Sequence, residues 1–354
     1  MRSRSHVVVA GTMAGLLLVL LVASLGVGPG DSLDFVTAMR GARSLVGLGS
    51  ELEPLLQATL ELRLWRVLTA AGVGAALALS GALLQGVFRN ALASPGVIGV
   101  SSGASLGAAL AILALGGGAA MSLGAGGGRF APLFIMLSAF LGSAVAVTIV
   151  VMLAAHRGRV SMPALLLTGI AINACCGGLQ AAIMSFSLGD YQLLRAIFAW
   201  TFGTLDDKAA LHVMVVWGAL ALGVLVIPFV ATELDLLAGG EDDARGLGVR
   251  TGRTRALAVG AAAFVAAAAV AVAGQIAFVG LIVPHLLRGL FGRGHRQLLP
   301  LCVLGGALFL VGAEFLQLVT VGRSALKPGT FMSLVGGPFF IVLLLRQRRE
   351  FRTW

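Results

Sequence analysis

The chain has 354 residues, 58% of them hydrophobic and only 11% charged, with a net charge of +10. Soluble domains carry about 25% charged residues, and one core cannot hide this much apolar surface, which excludes a soluble enzyme, a disordered chain and a secreted disulfide scaffold. The basic residues sit in short pieces between apolar runs, which is the pattern of a polytopic membrane protein and points away from nucleic acid.

A membrane helix needs about 20 mainly apolar residues. The first such run, Val7 to Val27, follows Arg2 and Arg4. It exceeds the roughly 7–15 apolar residues of a signal peptide, and more spans lie behind it, so it is expected to stay as a helix. Residues 28–61 read as a polar outer connector with Pro29, Asp31, Asp34, Glu51 and Glu53. Apolar segments follow at 64–88, 96–117, 130–154, 163–187, 209–230, 255–275, 278–291, 298–319 and 331–346, making ten spans. Segments 278–291 and 331–346 are short for an upright crossing, and 192–203 reads as an interfacial helix. With both termini cytoplasmic, the inner segments collect Arg89, Arg157, Arg159, the arginines of 245–255 and the arginine-rich tail, as the positive-inside rule requires. Ten spans divide into two halves of five, which enter the membrane from opposite sides, an inverted-repeat transporter architecture. The expected fold is all-α, one transmembrane domain over residues 1–354.

Several polar residues interrupt this pattern. Arg63 and Arg66 open the second span on the outer side, and Arg323 and Lys327 lie in the last outer loop. They run against the charge rule, so they either snorkel or face an acidic external partner. In the third span Gly99, Gly103 and Gly107 recur every four residues and form a face for close helix packing. The same stretch matches G-x-S-x-G by chance, without the strand-to-helix turn a nucleophile elbow needs. No H-E-x-x-H and no P-loop occurs, so the chain has no P-loop of its own for ATP. Asn173 and Gln180, seven apart in the fifth span, share a face; they line a path or bond neighbouring helices. Cys175, Cys176 and Cys302 lie in apolar runs and read as small buried hydrophobes.

The segment Glu233 to Arg255 reads ELDLLAGGEDDARGLGVRTGRTR. Leu236, Leu237, Ala244 and Leu247 fall on a helix-like stripe beside Glu241, Asp242, Asp243 and Arg245. Gly239-Gly240, Gly246 and Gly248 permit sharp turns at both ends. A short amphipathic helix is expected in the cytoplasmic loop 233–255. It is either a solvated loop on the headgroups or a docking knob for a partner. His285 reads as structural. Glu314 sits inside the ninth span, where an ionised acid costs about 2.5–3.5 kcal/mol. It is either a hydrogen-bonded structural acid or a proton relay.

Four stretches taken together resemble one family. RLWRVLTAAGVGAALALSGALLQGVFRNALASPGVIGVSSGASLGA (63–108), EDDARGLGV (241–249), GQIAFVGLIVPHLLRGLFGRGHRQLLPL (274–301) and GTFMSLVGGPFFIVLLLR (329–346) are similar to FecCD-type permeases. These are the membrane subunits of type II ABC importers for ferric siderophores, haem and cobalamin. Trp65, Gln275, Ala91 and the sequence LKPG depart from the family's commoner residues. The resemblance implies a transporter subunit in the inner membrane, not an enzyme, with no catalytic residue, metal or cofactor of its own. It implies a second permease copy, two cytoplasmic ATPase subunits carrying ATP and Mg, and an external substrate-binding protein. Glu241, Asp242, Ala244, Arg245, Gly246, Leu247 and Gly248 would couple to the ATPase. Arg63, Arg66 and Arg323 would dock the binding protein. Asn173 and Gln180 would belong to the translocation path. The competing expectation is an ion-coupled secondary transporter that uses Glu314.

Overall fold

The computed structural model describes residues 2–27, 39, 41, 53–116, 130–156, 159–160, 162–292, 294–321 and 326–350. Among them are twelve helices: α1 (Arg2–Gly26), α2 (Pro54–Phe88), α3 (Val100–Ala114), α4 (Ala131–Ala154), α5 (Met162–Phe186), α6 (Tyr191–Thr201), α7 (Ala210–Gly239), α8 (Glu241–Gly246), α9 (Thr251–Ala273), α10 (Val279–Phe291), α11 (His295–Thr320) and α12 (Pro328–Glu350). A 3-10 turn at Pro95–Ile98 precedes α3, and Ala155–His156 pairs antiparallel with Arg159–Val160. Seven helices (α1, α2, α4, α5, α7, α9 and α11) are long and apolar enough to cross a membrane, and α3, α10 and the stretch 328–342 of α12 are shorter apolar helices. Together they account for the ten expected spans.

The boundaries moved where local chemistry overrode hydropathy. The connector expected over 28–61 lies mostly outside the described residues, but its last part is helix, because Pro54 starts α2 in the first turn, where no amide is needed. The span expected from residue 96 starts at Val100, since Pro95 opens a 3-10 turn and Gly99 adopts a left-handed φ of 89°. The loop expected from Glu233 shrinks, because α7 runs on to Gly239 and α9 begins at Thr251.

Helix α2 is the core: 94% of its apolar window is buried inside the chain, against 17% for α5. Glycines explain how neighbours come so near. A Cβ on Gly74 would land on the carbonyl oxygen of Gly306 in α11, and one on Gly81 on the carbonyl of Gly280 in α10. Gly103 and Gly107 of α3 meet the backbone of Gly142 and Ser138 in α4 in the same way, as the four-residue spacing predicts. Hydrocarbon offers no hydrophobic drive between helices, so close backbone approach and interhelical hydrogen bonds hold them. Ser80 Oγ donates to Ala262 O at 2.7 Å, and Ser143 Oγ to Val100 O at 2.7 Å.

Candidate functional site

At one end of the bundle Gly240, with φ and ψ both 150°, breaks α7 from α8. Helix α8 carries Glu241, Asp242 and Asp243 in its first turn and Arg245 in its last, which suits the helix dipole. The Glu241 carboxylate accepts from Arg245 and, at 2.7 Å, from Arg255 of α9. That hydrogen bond from Arg255, opposed by partial burial and helped by both arginine charges, holds the Glu241 carboxyl below its usual value. Ala244 is fully buried under α8, and the Val249 amide returns to its carbonyl at 3.0 Å. Asp242, Arg245, Gly246, Leu247 and Gly248 face outward. The single expected apolar stripe therefore splits. Leu236 and Leu237 belong to α7, Leu237 and Ala244 point in, and Leu247 is 69% exposed. Leu247 is the C-cap residue directly after this braced six-residue helix, and its apolar side chain stands clear of the bundle.

Side chains that the sequence places in a loop also close this end. The Glu233 carboxylate accepts from Thr254 Oγ1, tying α7 to α9. Asp235 accepts from the His295 amide at 2.8 Å and lies 2.6 Å from His295 Nδ1, so it caps α11. No signal in the sequence pairs these residues, which stand 21 and 60 positions apart in the chain.

Arg63 and Arg66 are each 6% exposed, and neither reaches a surface. Arg63 Nη1 donates to Leu25 O at 2.8 Å, near the C-terminus of α1. Arg66 Nε contacts Glu314 Oε1 at 2.5 Å. The structure places both side chains inside the bundle rather than at the outer surface where snorkelling or docking was expected, and a charge there needs a partner. Arg323 lies outside the described residues. Glu314, 3% exposed, is held by Arg66 inside the bundle, the arrangement of a hydrogen-bonded acid.

Asn173 Nδ2 donates to Gly96 O at 2.9 Å, and its Oδ1 accepts from Ser102 Oγ at 2.5 Å. Gln180 Nε2 donates to Thr201 Oγ1 in α6 at 2.9 Å. Both are half-buried and bond neighbouring elements. Elsewhere on α5, Leu167, Ile170 and Phe186 are exposed. Among the described residues no group of three His, Cys, Asp or Glu side chains could hold a metal ion.

The sequence reading missed the far end, opposite α8. There Lys327 Nζ lies 3.0 Å from Asp206 Oδ2, and a cavity of about 770 Å³ opens beside them, lined in part by Tyr191, Arg195, Trp200 and Asp207. The charged run Asp206-Asp207-Lys208 between two apolar segments was the available signal, without its partner. Gln275, noted only as a departure, bridges to α3 by donating to Ser105 Oγ at 2.9 Å.

Comparison with known proteins agrees with this architecture. Residues 12–346 match the model of the FecCD transport family. The hemin transport system permease protein of Yersinia pestis is 37% identical over 347 residues, covering 96% of each chain. The cobalamin import system permease protein of Halobacterium salinarum is 39% identical over 301 residues, 82% of this chain and 74% of that one. The Fe(3+) dicitrate transport system permease protein FecD of Escherichia coli is 36% identical over 293 residues, 82% of this chain and 85% of that one. A metal-chelate type ABC transporter, solved in an inward-facing conformation, superposes with a TM-score of 0.78 at 28% identity, covering 96% of this chain and 99% of that chain. This chain belongs to the FecCD transport family: it is a membrane-embedded permease subunit of an ABC importer, and not an enzyme.

Proposed function

We propose that this permease pairs with a second copy of itself in the inner membrane and carries an iron chelate, a ferric siderophore or haem first and cobalamin next, from an external binding protein into the cytoplasm. The α8 end faces the cytoplasm, together with both termini. The chain is one transmembrane domain over residues 1–354, with ten spans in two inverted halves and no cofactor of its own; ATP and Mg belong to the ATPase subunits. The exposed face of α5 meets the second copy and, with α12, borders the path. Glu241 braces α8 against α9, and Arg245, Leu247 and their glycine neighbours contact the ATPase. ATP-driven closure of the ATPases then rocks α7 and α9 as rigid bodies, a two-state change.

The outward Leu247 on a helix braced at Glu241 carries this reading. Proteoliposomes holding the permease with its ATPase and binding protein test it with labelled haem and a labelled ferric siderophore. Uptake should require ATP and all partners. Uptake by the permease alone, driven by an ion gradient, would overturn the proposal.

A further inference from the structure

The far end of the bundle is tied through one short segment, residues 201–208, which joins α6 to α7. Gly203, at a left-handed φ of 72°, lies against the carbonyl oxygens of Ala273 and Gln275. Gly274, at φ 73°, lies against the carbonyl of Trp200. Gly329, in the first turn of α12, would collide through any Cβ with the carbonyl oxygens of both Phe202 and Gln275. The end of α6, the link between α9 and α10, and the start of α12 therefore touch backbone to backbone at one place. The Thr204 amide donates to Ala273 O at 2.8 Å across this contact.

Charged side chains clasp the same place. Lys208, 8% exposed, donates to Val272 O at 2.9 Å in the last turn of α9. Burial pulls its ammonium down to about 8, against the opposing pull of Asp206 and Asp207. Lys327, just before α12, pairs with Asp206 at 3.0 Å, with side-chain exposures of 38% and 20%. Gln180 ties α5 to the same segment through Thr201 at 2.9 Å. Helices α5 and α12, the two proposed to border the path, are thus both held at this end by residues 201–208. Of these ties, the Lys208 bond is buried, whereas the Gln180–Thr201 bond and the Asp206–Lys327 pair are partly open to water, and the latter is the one ion pair among them.

We propose that residues 201–208 are a latch that keeps the path shut on the outer side, and that the Asp206–Lys327 ion pair is the element that opens when solute is admitted. The proposal rests on the importer reading and specifies which contact gates it. Asp206 and Lys327 are positioning residues: their pairing sets where α12 starts relative to α6.

The test uses the complete transporter in vesicles, comparing the parent with Lys327→Gln, Asp206→Lys, and the exchange Asp206→Lys with Lys327→Asp. Release of trapped carboxyfluorescein without ATP reads whether the path stands open at both ends. Each single variant should leak about fivefold faster than the parent, the shift in a two-state population that loss of one partly exposed pair allows. The exchange should bring the leak back towards the parent, which a merely structural defect would not do. Unchanged leak in the single variants, or leak in the exchange as large as in Asp206→Lys, would overturn the latch while parent uptake still depends on ATP. Absence of ATP-dependent uptake in the parent would instead remove the importer reading on which the latch rests.

Discussion

The two ends of the bundle each hold an arginine–glutamate pair, and the two pairs live in different surroundings. Arg66 and Glu314 meet with side-chain exposures of 7% and 2%, whereas Arg245 and Glu241 meet at 42% and 29%. An exposed pair contributes about 0–1 kcal/mol, because water and salt screen it. Breaking a buried pair by removing one partner costs about 3–5 kcal/mol, because a charge is left without compensation. The same two residue types therefore lock α2 to α11 in one place and brace an exposed short helix in the other. Burial, rather than the presence of charge, separates the two pairs.

The largest effect should come from Glu314→Gln, which strands Arg66. Thermal unfolding of the purified permease in detergent should show a loss of about 3–5 kcal/mol. Replacing both members, with Arg66→Met beside Glu314→Leu, should recover most of it. Unchanged stability in Glu314→Gln would erase the contrast between the two ends. Next in size is Gly274→Ala, which places a Cβ on the Trp200 carbonyl at a left-handed φ of 73°. Overpacking of this kind costs about 1–3 kcal/mol, and the left-handed backbone adds about 1 more. Gly246→Ala at the α8 end meets nothing within 4 Å and should leave the unfolding midpoint where it is. Equal losses in the two variants would show that the far end is not the tighter one.

The span pattern was legible because a crossing needs a long apolar run: among the described residues seven helices are long and apolar enough, and three more are shorter apolar helices. The α8 helix was legible too, since a double glycine, three acids and an arginine leave little room for another structure. What the reading lost were partners far apart in the chain. Arg66 and Glu314 were each singled out, but they stand 248 positions apart, and each alone suggested a role at a surface or in a relay. Glu233 and Asp235 looked like loop acids until Thr254 and His295 were found beside them. The far-end contact was invisible for another reason. It consists of carbonyl oxygens facing Gly203, Gly274 and Gly329, and nothing marks those three among 50 glycines.

A smaller effect on stability, with a large one on assembly, is expected from Leu247→Asp. The side chain buries nothing inside the permease, so unfolding should shift by no more than about 0.5 kcal/mol, as for other surface changes. Co-purification of the ATPase should fall sharply, because a charge would enter an apolar contact. Retained ATPase would show that the exposed leucine is incidental and that the α8 end does not serve as the partner surface.

The smallest effect is a pH dependence at Glu241. Its carboxyl is held below the ordinary value of 4.5, first by the hydrogen bond from Arg255. A depressed carboxyl stabilises the folded form above the unfolded value, and the contribution is lost as pH falls through 4.5 and on past the lowered folded value. The pair is partly exposed, so the contribution at neutral pH is at most about 1 kcal/mol. Unfolding of the parent and of Glu241→Gln, followed from pH 7 downward, should therefore differ slightly at neutral pH and converge below the ordinary carboxylate value. High salt should reduce the difference at neutral pH, as it does for exposed pairs. A gap that persists in acid would place the bracing of α8 in packing around Ala244 rather than in charge. The α8 end would then be held by the same kind of contact as the far end.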